Sequence, residues 1–167
     1  DRDDLIKGLP GEGVDRICEI GYNLESSEKA VHLAEEYRGT GLSIYSAVGF
    51  HPQNANEFNP DSFQKLEELS YSESVVAIGE IGLDYYRLDK RSPIEKEQDE
   101  EKKKRGEEVF EDFDPEPAMQ KECFISMIEL AKKRNLPIVI HSRDAALDSF
   151  RIVRDHKAYI NGGIVHC

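Results

Sequence analysis

Residues 77–87, Ala-Ile-Gly-Glu-Ile-Gly-Leu-Asp-Tyr-Tyr-Arg, decide how this chain is read. An apolar run, Val75, Val76, Ala77 and Ile78, leads to the carboxylate of Glu80, and glycine, acid and aromatic residues follow. The pattern recurs twice. Pro137–Ser142 (PIVIHS) delivers His141 and Gly162–Cys167 (GGIVHC) delivers His166. Each run reads as a short buried strand with one metal-ligating side chain at its C-terminal end. In a parallel α/β barrel those ends converge on one face, where active sites form. One carboxylate and two imidazoles meeting there predict a divalent-metal site. These donors suit Zn, Mn or Fe, and a carboxylate can bridge two cations. Gly79 and Gly82, on either side of Glu80, permit close backbone packing around it.

Strand and helix alternate along the rest of the chain. Val14–Tyr22, Leu42–Phe50 and Val75–Leu83 are predicted strands, the second running into Gly49-Phe-His-Pro52. Asn23 is a predicted helix N-cap with Glu25 in the first turn, and Val31, Ala34 and Tyr37 mark that helix's face. Asn59-Pro60 opens another helix, with Phe63, Leu66 and Leu69 as its buried face. Met119, Cys123, Met127 and Ala131, with Phe124 and Ile128 beside them, repeat at helical spacing until Asn135-Leu-Pro137. Ala146, Phe150 and Val153 mark a last helix. Near-continuous apolar strands alternating with helices predict a parallel sheet covered by helices.

The 167 residues suffice for one domain with a real core, and 34% of them are charged. The net charge of −12 is the wrong sign for a broad DNA-binding surface. A nuclease remains compatible with it, because bound metal ions supply positive charge where phosphate must sit. Cys18, Cys123 and Cys167 show no paired spacing, which fits a reducing, cytoplasmic compartment. No apolar stretch approaches the roughly 20 residues of a membrane span, so no membrane partner is expected. The chain does not begin with Met, and Asp1 is read as lying inside a longer sequence.

Residues 92–116 break the rhythm. From Glu95 to Glu116 there are eleven acids and five bases, a net of −6 and half of the chain's total. The segment reads as a solvated insertion in a single domain, part disordered and part helical. It is either a plain surface loop or a lid or partner-binding arm.

Other residues near the strand ends carry two readings each. His51 could bind substrate or transfer a proton, or it could cap the turn that Pro52 enforces. Asp84, Tyr85, Tyr86 and Arg87 follow Glu80. Arg143 follows His141, where it could clamp phosphate or pair with Asp144 or Asp84. His32 and His156 sit on predicted helices facing solvent. The cysteines read as core residues, with Cys167 beside the site.

These pieces make the sequence recognisable. GFHP (49–52), AIGEIGLDYYR (77–87), the helix with Gln120, Phe124, Leu130 and Ala131, NLPIVIHSRDA (135–145) and GGIVHC (162–167) together resemble the TatD family of metal-dependent deoxyribonucleases, within the amidohydrolase-like barrels. The resemblance covers nearly all of the chain outside the insertion. It implies a TIM-type (β/α)8 barrel, of which this chain would be an internal portion from about strand 2 to strand 6. It implies a two-metal site (Mg, Mn or Zn) bridged by Glu80, with His141 and His166 completing the second ion's ligands. It also implies phosphodiester hydrolysis at DNA 3′ or single-stranded ends. On this reading Glu80 and His51 are catalytic, and Asp84, Tyr85 and Arg143 bind substrate. Two features depart from the family pattern: no HxH pair stands at an early strand end, and no late-strand Asp follows. Activity of this chain alone is therefore expected to be slight. Another hydrolase of the same barrel group (ester, lactone or amide) and a non-catalytic fragment with a partner-binding arm are the competing readings.

Overall fold

The computed structural model describes residues 1–111 and 113–166. Asp112 and Cys167 lie outside the described residues, and with them the expectations for the last strand's final residue and its thiol. In chain order the elements are α1 (Arg2–Gly8), β1 (Arg16–Ile20), α2 (Leu24–Glu36), β2 (Ser43–Val48), α3 (Pro60–Leu69), β3 (Val75–Asp84), α4 (Pro93–Lys104), α5 (Pro117–Arg134), β4 (Ile138–Arg143), α6 (Ala146–Asp155) and β5 (Gly163–His166). The two asparagine caps act as the sequence predicts. Asn23 accepts from the Ser26 amide at the start of α2, and Asn59 accepts from Asp61 and Ser62 ahead of Pro60 in α3. Helix α1 was not anticipated; an Asp1–Asp4 capping box opens it.

The five strands form one parallel sheet in the order β1-β2-β3-β4-β5. A doubly wound sheet reverses its order at a switch point; a sequence that never reverses is the wall of a barrel. The fold is α/β, a stretch of TIM-type barrel wall. Right-handed crossovers put the connecting helices on one face. There Val48, Ile78, Ile81, Leu83, Ile138 and Ile140 meet Leu66 of α3, Phe124, Met127 and Ile128 of α5 and Ile152 of α6. Between them along the strands, Ala47, Ala77 and Val139 form a small cluster on the opposite face.

Two of the periodic helix faces are only partly buried. In α5 the buried stripe runs from Gln120 through Cys123, Phe124, Met127 and Ile128, while Met119 is exposed. In α6, Ser149 and Ile152 are buried, and Phe150 is 60% exposed beside Val165, itself 70% exposed. That face of α6 lies over the edge strand β5, where nothing among the described residues covers it.

The charged segment contains one helix, α4, and is tied at its base. Its base closes between Arg87 and Asp114. The Asp114 amide donates to Arg87 O (3.0 Å), the Arg87 amide to Asp114 Oδ2 (3.2 Å) and Arg87 Nη2 to Asp114 Oδ1 (3.2 Å). The Asp114 side chain is only 1% exposed. Just before the segment, Arg91 bonds Asp89 and Asp99 and lies over the Phe113 ring, which meets Phe110 edge-on. Helix α4 has no buried residue, so what holds the segment is this ion network and its closed base.

Strand β3 carries one extra residue against β4. Ile78 pairs with Ile138 and Ile81 with Ile140, three steps on one strand against two on the other. The surplus falls at Gly79-Glu80, a bulge of the kind that re-aims a side chain beside an active site. The Glu80 amide leaves the ladder and donates to Gly21 O beyond β1 (3.0 Å). Close backbone approach demands glycine here: a Cβ on Gly82 would lie 2.0 Å from His141 O, at a φ of +143°.

Two expectations follow from these contacts. Gly82→Ala should destabilise the fold by about 3 kcal/mol or more, read as a lower Tm or a loss of soluble protein. Replacing residues 88–113 with a short glycine-rich link should keep one cooperative unfolding transition, because the segment's base is already closed in the native fold. A broad, non-cooperative transition would show that the segment is structural.

Candidate metal centre

The bulge points the Glu80 carboxylate at the C-terminal edge of the sheet, where β2, β4 and β5 each bring a histidine. Glu80 Oε1 lies 2.7 Å from His166 Nε2, 3.0 Å from His141 Nδ1 and 3.6 Å from His51 Nε2. The His141 ring centroid is 4.4 Å from that of His51 and 5.7 Å from that of His166. The three residues of the expected ligand set thus come together, and His51 joins them. His51, Glu80 and His141 each offer a donor atom within 4.8 Å of the others. Around an ion with bonds near 2.1 Å, neighbouring ligand atoms sit roughly 3.0–3.4 Å apart, depending on whether the geometry is octahedral or tetrahedral. The 3.0 Å to His141 falls within that span, the 2.7 Å to His166 just short of it and the 3.6 Å to His51 just beyond, and a carboxylate with imidazoles is a donor set a divalent ion takes.

The hydrogen bonds divide the histidines by role. His51 Nδ1 accepts from the Gln53 amide (3.2 Å), capping the 3-10 turn that begins at Pro52. Nδ1 is thereby the acceptor, so in the neutral ring Nε2 bears the proton and faces Glu80 as a donor. Burial and the neighbouring His141 hold the His51 pKa below the ordinary imidazole value, which keeps the ring neutral. Both readings made of His51 from sequence meet in one residue: it caps the turn and also presents an N–H at the cluster.

His141 stands between two carboxylates. Nδ1 donates to Glu80 Oε1, and Nε2 donates to Asp84 Oδ2 (3.2 Å). A ring that donates from both nitrogens is an imidazolium, and the hydrogen bond to Glu80 accordingly raises the His141 pKa. The same bond holds the Glu80 carboxyl below its ordinary value. A metal would displace the proton on Nδ1, while Asp84 kept the one on Nε2.

The other strand-end residues have their own partners. Asp84, one of the expected substrate contacts, is buried, and both of its oxygens are occupied, by His141 and by the Tyr86 amide (3.0 Å). Its backbone is held in turn by fully buried Gln120, which accepts from the Asp84 amide and donates to its carbonyl, each at 2.8 Å. The Tyr85 hydroxyl donates to Asp148 Oδ2 (3.1 Å), which also pairs with Lys121 (2.6 Å), so Tyr85 ties β3 to α5 and α6. Arg143 pairs with neither Asp144 nor Asp84. Its guanidinium lies 3.6 Å from the centroid of the Tyr86 ring. His156 contacts Glu129, His32 is exposed, and burial pushes the Cys123 thiol up to about 12, an inert core position.

The family model described as TatD related DNase matches residues 1–167. The chain belongs to the TatD-related DNase family. It is 35% identical to the uncharacterized metal-dependent hydrolase YabD of Bacillus subtilis, a match covering 100% of this chain and 54% of that protein. It is 30% identical to the 3′-5′ ssDNA/RNA exonuclease TatD of Cronobacter sakazakii, covering 100% of this chain and 52% of that one. The chain thus spans about half the length of the curated relatives it matches. The hydrolase TatD family protein of Entamoeba histolytica has the same fold over 100% of this chain and 49% of its own, with a TM-score of 0.79 at 24% identity.

The raised pKa of His141 sets a pH dependence. Its raised pKa contributes folding stability that is present below the ordinary imidazole range near pH 6.5 and is lost as pH rises through the raised value. Metal must displace that proton, so affinity should strengthen over the same rise. Calorimetric titration with Mn²⁺ or Zn²⁺ should give tighter binding at about pH 8 than at about pH 6, with protons released. Affinity independent of pH would remove His141 from the ligand set.

Proposed function

We propose that this chain forms the metal-binding core of a phosphodiester hydrolase acting on the 3′ ends of single-stranded DNA. The observation that carries this reading is the convergence of three imidazoles on one oxygen of Glu80 at the C-terminal strand edge. Membership of the TatD-related DNase family supports the reaction class, and the Cronobacter relative's name supports a nucleic-acid substrate. Glu80, His141 and His166 would hold a divalent ion, Mg, Mn or Zn. When bound, such an ion lowers the pKa of water and offsets charge building on phosphorus. Glu80 Oε2 makes no hydrogen bond among the described residues, which leaves it able to reach a second ion as a bridge. Asp84, steadied by Gln120, orients His141. His51 Nε2–H faces the cluster and can donate to a phosphate oxygen or to the departing sugar oxygen. Arg143, free of any carboxylate among the described residues, can hold a phosphate.

A net charge of −12 leaves phosphate binding to the metal and to such local cations. Cys18 and Cys123 are free thiols, consistent with the cytoplasm as the working compartment. No helix among the described residues is long and apolar enough to cross a membrane.

Glu80→Ala should weaken divalent-metal binding more than about 100-fold, since it removes the ligand common to all three histidines. In a protein spanning the relatives' length, nucleotide release from a 3′-labelled single strand should fall to background with this substitution. The 167-residue chain, lacking an HxH pair, should release nucleotides at a small fraction of that rate. Ester or lactone hydrolysis without nucleotide release would favour another activity of the same barrel group.

A further inference from the structure

We infer that Tyr86 and Arg143 form a nucleotide-binding shelf in which Arg143 takes a phosphate and the exposed face of Tyr86 stacks on a base. The inference rests on the proposed action on single-stranded nucleic acid and names the contact that would make a base necessary. Arg143 lies two residues past His141 on β4, so it shares that residue's face of the sheet, roughly 7 Å further along. Its backbone stands opposite Asp84 in the β3–β4 register, and its carbonyl accepts from the Tyr85 amide (2.9 Å). Tyr86 is fixed from the other side, its amide donating to Asp84 Oδ1 (3.0 Å). The carboxylate that orients His141 therefore also sets the height of the Tyr86 ring.

Arg134 over Tyr71 shows the same stacking at 3.6 Å, but its guanidinium donates to Ser70 O (3.1 Å), whereas that of Arg143 makes no hydrogen bond among the described residues. The chain carries 34 acidic residues against 22 basic ones, and most of its arginines sit against carboxylates. Arg143 has no ion pair among the described residues and rests instead on an aromatic ring, its Cζ 3.6 Å from the centroid. Stacking leaves the guanidinium's edge, with its fork of N–H donors, open to a phosphate. Only part of the Tyr86 ring is covered: the residue is 54% exposed, although it lies next to buried Asp84. A large aromatic held at a strand end, half exposed and backed by an unpaired arginine, matches the surface on which single-stranded bases stack. Recognition would be tolerant of sequence, because every base has a π-face, and it would require a base rather than phosphate alone.

Fluorescence anisotropy with a short labelled single-stranded DNA tests this on the 167-residue chain at low salt with Mn²⁺. Two probes are compared, one with all bases present and one abasic over its 3′-terminal nucleotides. Tyr86→Ala should weaken binding of the base-bearing strand by about tenfold and leave the abasic strand unchanged, with Tyr86→Phe restoring binding. Arg143→Ala should weaken both strands. Thermal melting checks that each variant is folded. Equal loss on both strands in Tyr86→Ala would overturn the stacking role, since the ring would then only be steadying Arg143. Unchanged binding of the base-bearing strand would overturn it as well. In both cases the parent chain still binds DNA and the proposed function stands. Absence of any DNA binding by the parent chain would overturn both.

Discussion

The hydrogen bond from His141 Nε2 to Asp84 Oδ2 is the contact on which the site depends. It turns the ring so that Nδ1 faces Glu80, and it keeps a proton on the nitrogen that is not needed for a metal. Asp84 can do this because Gln120 of α5 holds its backbone on both sides, where the sheet's own ladder is ending. Buried Gln120 also donates to Pro115 O, at the return of the charged segment. One buried amide thus links the base of the segment, the end of β3 and the metal-facing histidine of β4. Losing it would leave buried polar groups unsatisfied as well as a misaimed imidazole.

Glu80 reaches this arrangement through backbone geometry. The extra residue in β3 lifts Gly79-Glu80 out of register, and the Glu80 amide is caught by Gly21 O across the top of β2. Gly79 and Gly82 let β3 approach β4 more closely than a side chain would permit. The acid is therefore placed by the sheet rather than by a mobile loop. A preset ligand geometry is what a metal site needs in order to bind without reorganising.

The parallel sheet, four of the helices and the meeting of Glu80, His141 and His166 were legible in the sequence, because period, caps and strand-end position are local signals. The contacts of Asp84, Tyr85 and Tyr86 were not. Adjacent strand residues point to opposite faces, and the bulge at Gly79-Glu80 upstream shifts which face each one takes. Gln120 left a usable trace: it stands one turn before Cys123 and Phe124 on an otherwise apolar stripe, and a polar residue on a buried face asks for a partner. The charged segment reads from its composition as part disordered and part helical, and Arg91 beside it collects two carboxylates and an aromatic ring, a set that no local pattern announces. Phe150, one of the residues whose spacing marks α6, is exposed because α6 lies at the open edge of the sheet.

The family's deoxyribonuclease character gives this geometry its chemical setting, and the division among the histidines is what the structure adds. The Gln53 amide occupies Nδ1 of His51 and leaves its Nε2 toward Glu80, while His141 and His166 present Nδ1 and Nε2 to the same carboxylate oxygen. X-ray absorption of the Zn²⁺-loaded chain tests this division most directly. The account predicts a first shell with two imidazole nitrogens and carboxylate oxygen near 2.0–2.1 Å, losing one imidazole in His166→Ala and unchanged in His51→Ala. A shell of oxygen alone, or one that loses an imidazole when His51 is removed, would contradict it.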